Sequence, residues 1–490
     1  MKLSRTKVAV FLCLAVAAGG LGQDPPSGGG RQRNDPQGQR RGPQGVFRTD
    51  VPDHQLDVIL ARPTATSITL SVLCYAGAKA YVAYGTAKDN LALRTEVQEP
   101  ANDVPRMIVL GKLSPNTQYY YQLRDAATDR PLPASQDVCT FHTQRSLGSS
   151  FVFTVQADSH LDENASPELY RRTLVNAQAD SPDFHIDLGD TFMTDKHATR
   201  DSAARQYLAQ RYYLGLIGRT APVFLVVGNH DGEDGKLLRG GADSLAVWSN
   251  TMRKRYFPNP VPDGFYSGND RKDPLAGLLE DYYAWEWGDA LFLVLNPYWH
   301  SPGRRGDDCW GLSLGGEQYD WLRKTLESSK AKLKFVFIHQ LVGGLDKQGR
   351  GGVEAAPFGE WGGKNADSSD GFREHRPGWD LPIHRLLVRN HVAVVFHGHD
   401  HLFAKQDLDG IVYQEVPQPA FPGLGSPRNA AEYGYINGTI LGGAGHLRVT
   451  VSKSKATVGF VRALLPKDEN VTCRNRQVEH VSTVQVLNEQ

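Results

Sequence analysis

Three regimes of hydrophobic patterning follow one another along the chain. From Phe47 to about Arg145, short stretches of alternating apolar and polar residues are separated by turn residues: Ile68–Leu73, Ala80–Gly85, Arg106–Leu110, Gln118–Arg124 and Val138–Thr143. A period of two marks strands with one buried face, and roughly 100 residues of such strands predict a β-sandwich. From Phe151 the apolar runs become continuous. Phe151–Val155, Phe184–Leu188, Val223–Val227, Leu291–Leu295, Phe335–Ile338 and His391–Val395 read as buried strands, while Pro167–Gln178, Asp201–Leu216, Glu317–Ser328 and Leu381–Arg389 have helical spacing. Strands buried on both faces and alternating with helices predict an α/β domain. After Gly443 the shorter alternation returns: Leu447–Val451 and Thr457–Val461 read as a hairpin, and Val481–Val486 as an edge strand or a loose end.

Two N-terminal stretches fit none of these regimes. Lys2, Arg5 and Lys7 precede an apolar run, Val8–Ala18, which is followed by Gly19 and Gly20. That order predicts an export signal cleaved near Gly22, with an apolar run too short to span a bilayer. Gln23–Gly45 is rich in Gly, Pro, Gln and Arg and cannot bury a core, so it reads as a disordered tether. The expected divisions are a signal peptide (1–22), a linker (23–46), the sandwich (47–145), the α/β domain (146–465) and a C-terminal tail or edge strand (466–490). Export places the protein in the periplasm, outside the cell or on its surface, with no integral membrane segment after signal removal.

Charge narrows the partners. The 490 residues carry 54 Lys+Arg and 54 Asp+Glu, a formal net charge of zero. No global basic field recommends a nucleic acid polymer. Cys13 leaves with the signal; Cys74, Cys139, Cys309 and Cys473 remain, with no CxxC pair to suggest a thiolate zinc site. An even count in an exported chain permits disulfides, and Cys74–Cys139 is the favoured pairing because both fall in the sandwich. Oligomeric state is left open by the sequence.

The candidate chemistry sits just past the strands of the α/β region. After successive strands come Ala157-Asp158-Ser159-His160, Gly189-Asp190-Thr191, Gly228-Asn229-His230-Asp231, His339, and Gly398-His399-Asp400-His401. Ligands of open α/β sheets gather beyond the carboxyl ends of strands. Each of these residues alone has an ordinary structural role open to it: Asp158 or Asp190 as a helix cap, Asn229 as a turn residue, His339 as a satisfied core histidine. Their recurrence in order at five strand ends points to one shared site. Carboxylate, amide oxygen and imidazole without thiolate suit ions such as Fe, Mn or Zn rather than soft metals.

The series DxH, GD, GNHD, VxxH (Val336 to His339) and GHxH resembles the calcineurin-like metallophosphoesterase superfamily over about Ser149–Val461. The sandwich, with its Leu113-Ser114-Pro115-Asn116-Thr117-Gln118-Tyr119-Tyr120-Tyr121 run, resembles the fibronectin type III-like N-terminal domain of purple acid phosphatases. The resemblance implies an αββα, two-sheet metallophosphoesterase domain. It also implies that Asp158, His160, Asp190 and His401 hold one metal, that Asp190, Asn229, His339 and His399 hold the other, and that Asp190 bridges. His230 would face the phosphate as a catalytic group, with Asp231 either orienting it or supporting the ligands from behind. The implied activity is hydrolysis of a small-molecule phosphate monoester by hydroxide attack on phosphorus; a phosphodiesterase or nucleotidase of the same fold, and a surface-binding module with a vestigial site, are the alternatives. One departure stands out. Purple acid phosphatases carry GDxxY with a metal-binding tyrosinate, and here Phe192 and Met193 occupy that region. No tyrosinate absorption band is therefore expected. His397 reads as structural. Asn296, Tyr298, Trp299 and His300 read as lining the substrate approach.

Overall fold

The computed structural model describes residues 45–75, 77–99, 104–132, 137–301, 309–344, 348–423 and 428–486. The stretches expected to form an export signal and most of a tether lie outside them. Among the described residues the N-terminal sandwich has seven strands: β1 (Leu56–Ala61), β2 (Ile68–Cys74), β3 (Ala80–Gly85), β4 (Leu93–Arg94), β5 (Arg106–Leu110), β6 (Gln118–Asp125) and β7 (Cys139–His142). They form a three-stranded sheet in the order β1-β2-β5 and a four-stranded sheet in the order β4-β3-β6-β7. Their inward residues, among them Leu60, Leu70, Val82, Tyr121 and Leu123, make one core. At the corner before β6, the Ser114 backbone N–H donates to the Tyr119 hydroxyl at 2.8 Å. The favoured Cys74–Cys139 pairing is not made. Both thiols lie in this core and are free, Cys74 ending a strand of one sheet and Cys139 opening a strand of the other, so each packs as a small apolar group.

The α/β region is built from two larger sheets. Its strands are β8 (Phe151–Gln156), β9 (Phe184–Asp187), β10 (Val223–Leu225), β11 (Ser267–Gly268), β12 (Lys272–Asp273), β13 (Gly277–Leu278), β14 (Tyr283–Trp287), β15 (Ala290–Val294), β16 (Leu333–Phe337), β17 (Val394–His397), β18 (Phe403–Leu408), β19 (Ile411–Glu415), β20 (Thr439–Leu441), β21 (Gly445–Val451), β22 (Lys455–Arg462) and β23 (Val478–Gln485). One sheet runs β10-β9-β8-β21-β22-β23 and the other β11-β14-β15-β16-β17-β19-β18-β20. The pairings β8/β9, β9/β10, β15/β16 and β16/β17 are parallel, so these strands end at the same rim. β21 and β22 form the expected hairpin, but β21 also pairs with β8. β23 is the edge strand of the same sheet. β17 begins three residues later than its apolar run suggested, because His391 adopts φ +55° and closes the preceding helix, Ile383–Arg389.

The sheets face each other across an aromatic core. The Phe153 ring lies between 5.2 and 6.1 Å from those of Phe184, Phe292, Phe335, Phe337 and Phe396. Each such pair contributes about 0.5–1.5 kcal/mol beyond area burial. Helices α1 (Pro167–Gln178) and α2 (Arg200–Gly218) pack against the first sheet, and α3 (Leu245–Tyr256) packs beside them. Helix α4 (Gly315–Ser328) and helix Ile383–Arg389 pack against the second. Ser166 caps α1 ahead of Pro167, and Thr199 with Ser202 forms a capping box on α2. The result is an αββα sandwich behind an N-terminal β-sandwich.

The sandwich is fastened to α2. Arg211 is fully buried there and donates from Nη1 to Ser71 Oγ (3.0 Å) and from Nη2 to the Ser71 carbonyl (3.0 Å). The Tyr121 hydroxyl donates to the Arg219 carbonyl at 2.7 Å. A cavity of about 170 Å³ remains along this seam, lined by His54, Leu56, Tyr121, Tyr212, Leu216 and Arg219 among others, well apart from the strand ends described next.

Candidate metal centre

The chain turns sharply where each strand delivers its polar residue. Asp158, His160, Asp190, His399 and His401 all have positive φ, between +50° and +78°. Non-glycine residues held in this region cost of order 1 kcal/mol or more each, and such strain persists where the surroundings fix it, as at functional sites. Two of the turns touch backbone to backbone. A methyl group on Gly228 would collide with the backbone nitrogen and the carboxylate of Asp190. The GD and GNHD motifs thus need glycine to bring Asp190 and Asn229 together.

Two clusters result: Asp158, His160 and His401 in one, and Asp190, His339 and His399 in the other, the candidate ligand atoms within each lying no more than 4.8 Å apart. His401 Nε2 is 3.5 Å and His160 Nε2 is 3.6 Å from Asp158 Oδ1. Two carboxylate oxygens reach between the clusters: Asp158 Oδ1 lies 3.9 Å from His339 Nε2, and Asp190 reaches both sides more closely. Asp190 Oδ2 lies 3.6 Å from His160 Nε2 and 3.5 Å from His339 Nε2, while Asp190 Oδ1 accepts the His230 backbone N–H at 2.8 Å. Asn229 Oδ1 is 3.1 Å from His339 Nε2. The imidazoles are held from behind. His339 Nδ1 lies 2.8 Å from the Leu188 carbonyl, His160 Nδ1 3.3 Å from Asp162 Oδ2, and His399 Nε2 3.1 Å from the Gln348 carbonyl. Such backing bonds fix the tautomer and aim the other nitrogen.

Electrostatics follow from this crowding. Burial alone would lower His339, yet the Asp190 and Asp158 carboxylates outweigh it and raise it to about 9. His160 is raised by the same contest, with Asp158, Asp162 and Asp190 winning over burial. Burial opposes ionisation of Asp158 and Asp190, but the facing imidazoles hold both well below the usual carboxylate range. His399, without so close a carboxylate, is pulled down to about 3 by burial and by the charge on His339.

The pair expected to act on phosphate separates. His230 stands at the rim, partly exposed, with Nδ1 3.0 Å from Asp195 Oδ1. Asp231 does not face it. Its buried carboxylate accepts backbone N–H groups of Asp190 (3.1 Å), Thr191 (2.9 Å), Phe192 (2.8 Å) and Gly228 (2.7 Å). Burial and the Asp190 charge push that carboxyl up to about 8. Asp231 is thus a clamp across two turns, and the expectation that it orients His230 is corrected: neighbours on a tight turn point in different directions. Asp195, five residues past Asp190, takes that place; the acidic residue closing Gly189-Asp190-Thr191-Phe192-Met193-Thr194-Asp195 was the signal available for it.

Other expected residues are placed as follows. The buried Phe192 ring stacks on Tyr207 at 4.1 Å, and Met193 is buried at φ +47°. His397 ends β17 with Nδ1 2.6 Å from the buried Glu415 carboxylate. Asn296 does not line an approach: it is buried, donates to Asp281 and accepts from the Tyr298 backbone. Tyr298 is also buried, its hydroxyl donating to Gln340 at 2.9 Å and its ring 6.2 Å from that of His339. Trp299 is buried and donates to Asp273.

The residues fit metal ions. Asp158 Oδ1 and His160 Nε2 are buried without a hydrogen-bond partner, although each faces other polar atoms across a gap too wide for a hydrogen bond. A cation between them satisfies both. The donors are carboxylate, imidazole and amide oxygen, the set that hard and borderline metals prefer.

An αββα sandwich with two such clusters at its strand ends defines a metallophosphoesterase. The chain belongs to the calcineurin-like phosphoesterase family, whose model matches residues 151–403, and it is a metal-dependent phosphoester hydrolase. Among solved structures it is similar to PhoD, with a TM-score of 0.61 at 15% identity over 88% of this chain and 90% of that one. It is also similar to a purple acid phosphatase isolated from yellow lupin (Lupinus luteus) seeds, with a TM-score of 0.57 at 15% identity over 90% of this chain and 74% of that one. At such identities the likeness is one of fold. No curated protein matches the chain in sequence.

Proposed function

We propose that this chain is an exported phosphatase that hydrolyses small-molecule phosphomonoesters at a pair of metal ions. The observation that carries the reading is the double reach of Asp190 Oδ2 towards His160 and His339, with His230 at the rim beside it. Asp158, His160, Asp190 and His401 would hold one ion, and Asp190, Asn229, His339 and His399 the other. Bound there, two ions of Fe, Mn, Zn or a mixture neutralise phosphate charge and activate water at neutral pH.

The protein's own groups do the rest. Asp195 holds His230 by Nδ1, which leaves Nε2 for the substrate. From Nε2 a proton passes to the departing alcohol oxygen as the P–O bond breaks. General acid help of this kind contributes about 10²- to 10⁴-fold. The monoester reading rests on the likeness to a purple acid phosphatase. Asp158, His160, Asp190, His339 and His399 are buried, and the His401 side chain is 38% exposed.

Export rests on the basic and apolar N-terminal pattern. No helix among the described residues is long and apolar enough to cross a membrane. The fibronectin type III-like reading of the sandwich rests on its seven strands and the Ser114–Tyr119 corner. Elemental analysis combined with rates on para-nitrophenyl phosphate, its bis-ester and nucleotides tests the proposal. Two ions per chain and preference for the monoester are expected. Faster turnover of the bis-ester or of nucleotides would move the assignment to those classes, and a folded, metal-reconstituted but inactive protein would leave only a binding role.

A further inference from the structure

The chain enters the sandwich by a detour. Before β1, residues Phe47 and Arg48 run antiparallel to the loop that follows Asp158 and His160. Phe47 forms a β-bridge with Asp162, the Arg48 backbone N–H donates to the Leu161 carbonyl at 2.7 Å, and Arg48 Nη2 donates to the Glu163 carbonyl at 3.2 Å. Val51 then packs on the cluster that contains Leu161 and Phe192. The Phe47 and Arg48 contacts are made to the α/β region rather than to the sandwich.

We infer that this N-terminal strap positions His160, through Asp162 on one side and Gln206 on the other. The inference rests on the reading of His160 as a metal ligand. The first route is direct. The strap pins the backbone of Leu161 and Asp162, and Asp162 Oδ2 lies 3.3 Å from His160 Nδ1. Asp162 Oδ1 is engaged separately, by the Asn164 backbone N–H at 2.8 Å, so the carboxylate has one settled orientation. With Nδ1–H given to Asp162, Nε2 presents its lone pair to the centre.

The second route runs through the Phe47 ring. It stacks on His197 with centroids 3.8 Å apart and an interplanar angle of 21°. His197 Nε2 donates to Gln206 Oε1 at 2.7 Å. Gln206 is fully buried, and its Nε2 donates to the carbonyls of His160 (2.6 Å) and Thr191 (2.9 Å). The two routes therefore meet on one residue, one at its imidazole and one at its carbonyl. His160 needs this support because its φ of +50° is not a conformation its own backbone favours.

The test is metal affinity, measured on the whole chain by competition with a chromogenic chelator, alongside thermal melting of the metal-free protein. Phe47→Ala and Asp162→Asn should each weaken one of the two ions about 10- to 100-fold and leave the other close to wild type. Phe47→Tyr keeps the stacked ring and should restore the affinity. Strap variants that bind both ions as tightly as wild type overturn the inference, whether or not their melting temperature falls. Equal weakening of both ions also overturns it, because a general loosening would do that. A wild-type protein that takes up no ion at all overturns the metal-centre reading, and this inference with it.

Discussion

Asp195 Oδ1 lies 3.0 Å from His230 Nδ1, and the two residues come from different strand-end loops, one after β9 and one after β10. The pairing makes His230 a histidine with one free nitrogen. In Asp195→Asn that nitrogen is no longer specified, and kcat should fall about 10- to 100-fold with metal content unchanged. His230→Ala should lose about 10²- to 10⁴-fold, and the double variant should be no worse than His230→Ala alone. Steady-state kinetics with metal analysis of each variant checks this. Additive losses would show that Asp195 acts by another path.

Asp190→Ala should cost both ions. One oxygen of this residue faces both clusters, and the other holds the His230 backbone. Elemental analysis after reconstitution should fall from two ions per chain towards none. His401→Ala, which touches the Asp158 cluster alone, should retain one. Equal retention in the two variants would remove Asp190 from its bridging place.

Asp231→Asn should be a stability variant before it is an activity variant. The amide oxygen can keep the N–H groups of Thr191 and Phe192, but those of Asp190 and Gly228, which share Oδ2, would face an amide NH2 in a buried site, a change costing about 1–3 kcal/mol. Urea unfolding of the metal-free protein should show the loss. A variant of unchanged stability with reduced kcat would instead return Asp231 to a direct role.

A pH signature is expected far from the site. The carboxylate of Asp180, buried at the end of α1, pairs with His446 Nε2 (2.8 Å), Arg476 Nη2 (2.9 Å) and Arg448 Nη1 (3.3 Å). Burial opposes its charge, but these partners hold the acid below its ordinary value. A depressed carboxyl stabilises the fold above the unfolded value and loses that contribution as pH falls through the folded one. Asp180→Asn should cost about 1–2 kcal/mol at neutral pH, the two arginines being partly exposed and screened. The gap in melting temperature between wild type and variant should hold from about pH 5 to 7 and close below about pH 4. A gap that widens on acidification would reverse the sign of the interaction.

The strands and their polar ends were legible because both obey short-range rules: continuous apolar runs for buried strands, then a glycine or a turn with a ligating residue. That reasoning led to the residues that the fold brings together around Asp190. What it missed is orientation. Adjacency in sequence suggested Asp231 for His230, but the Asp231 carboxylate is taken up by the backbone N–H groups of the neighbouring turn, which leaves the task to Asp195. Cys74 and Cys139 share a core, yet a shared core does not supply the geometry of a bond. Phe47 carries no periodic signal, since its partners Asp162 and His197 lie more than a hundred residues away in the chain.

The pairing of β8 has a consequence for the order of assembly. β8 delivers Asp158, and its two edges are covered by β9 on one side and by β21 on the other. β9 follows soon after it, while β21 is among the last strands to be made. A nascent chain that has already produced all of the strand-end histidines therefore still carries β8 with an open edge, and contacts of such large sequence separation form late. The strand that delivers Asp158 is thus closed on both edges only when the C-terminal hairpin has been added, so the site's first ligand depends on nearly the whole chain for its final setting.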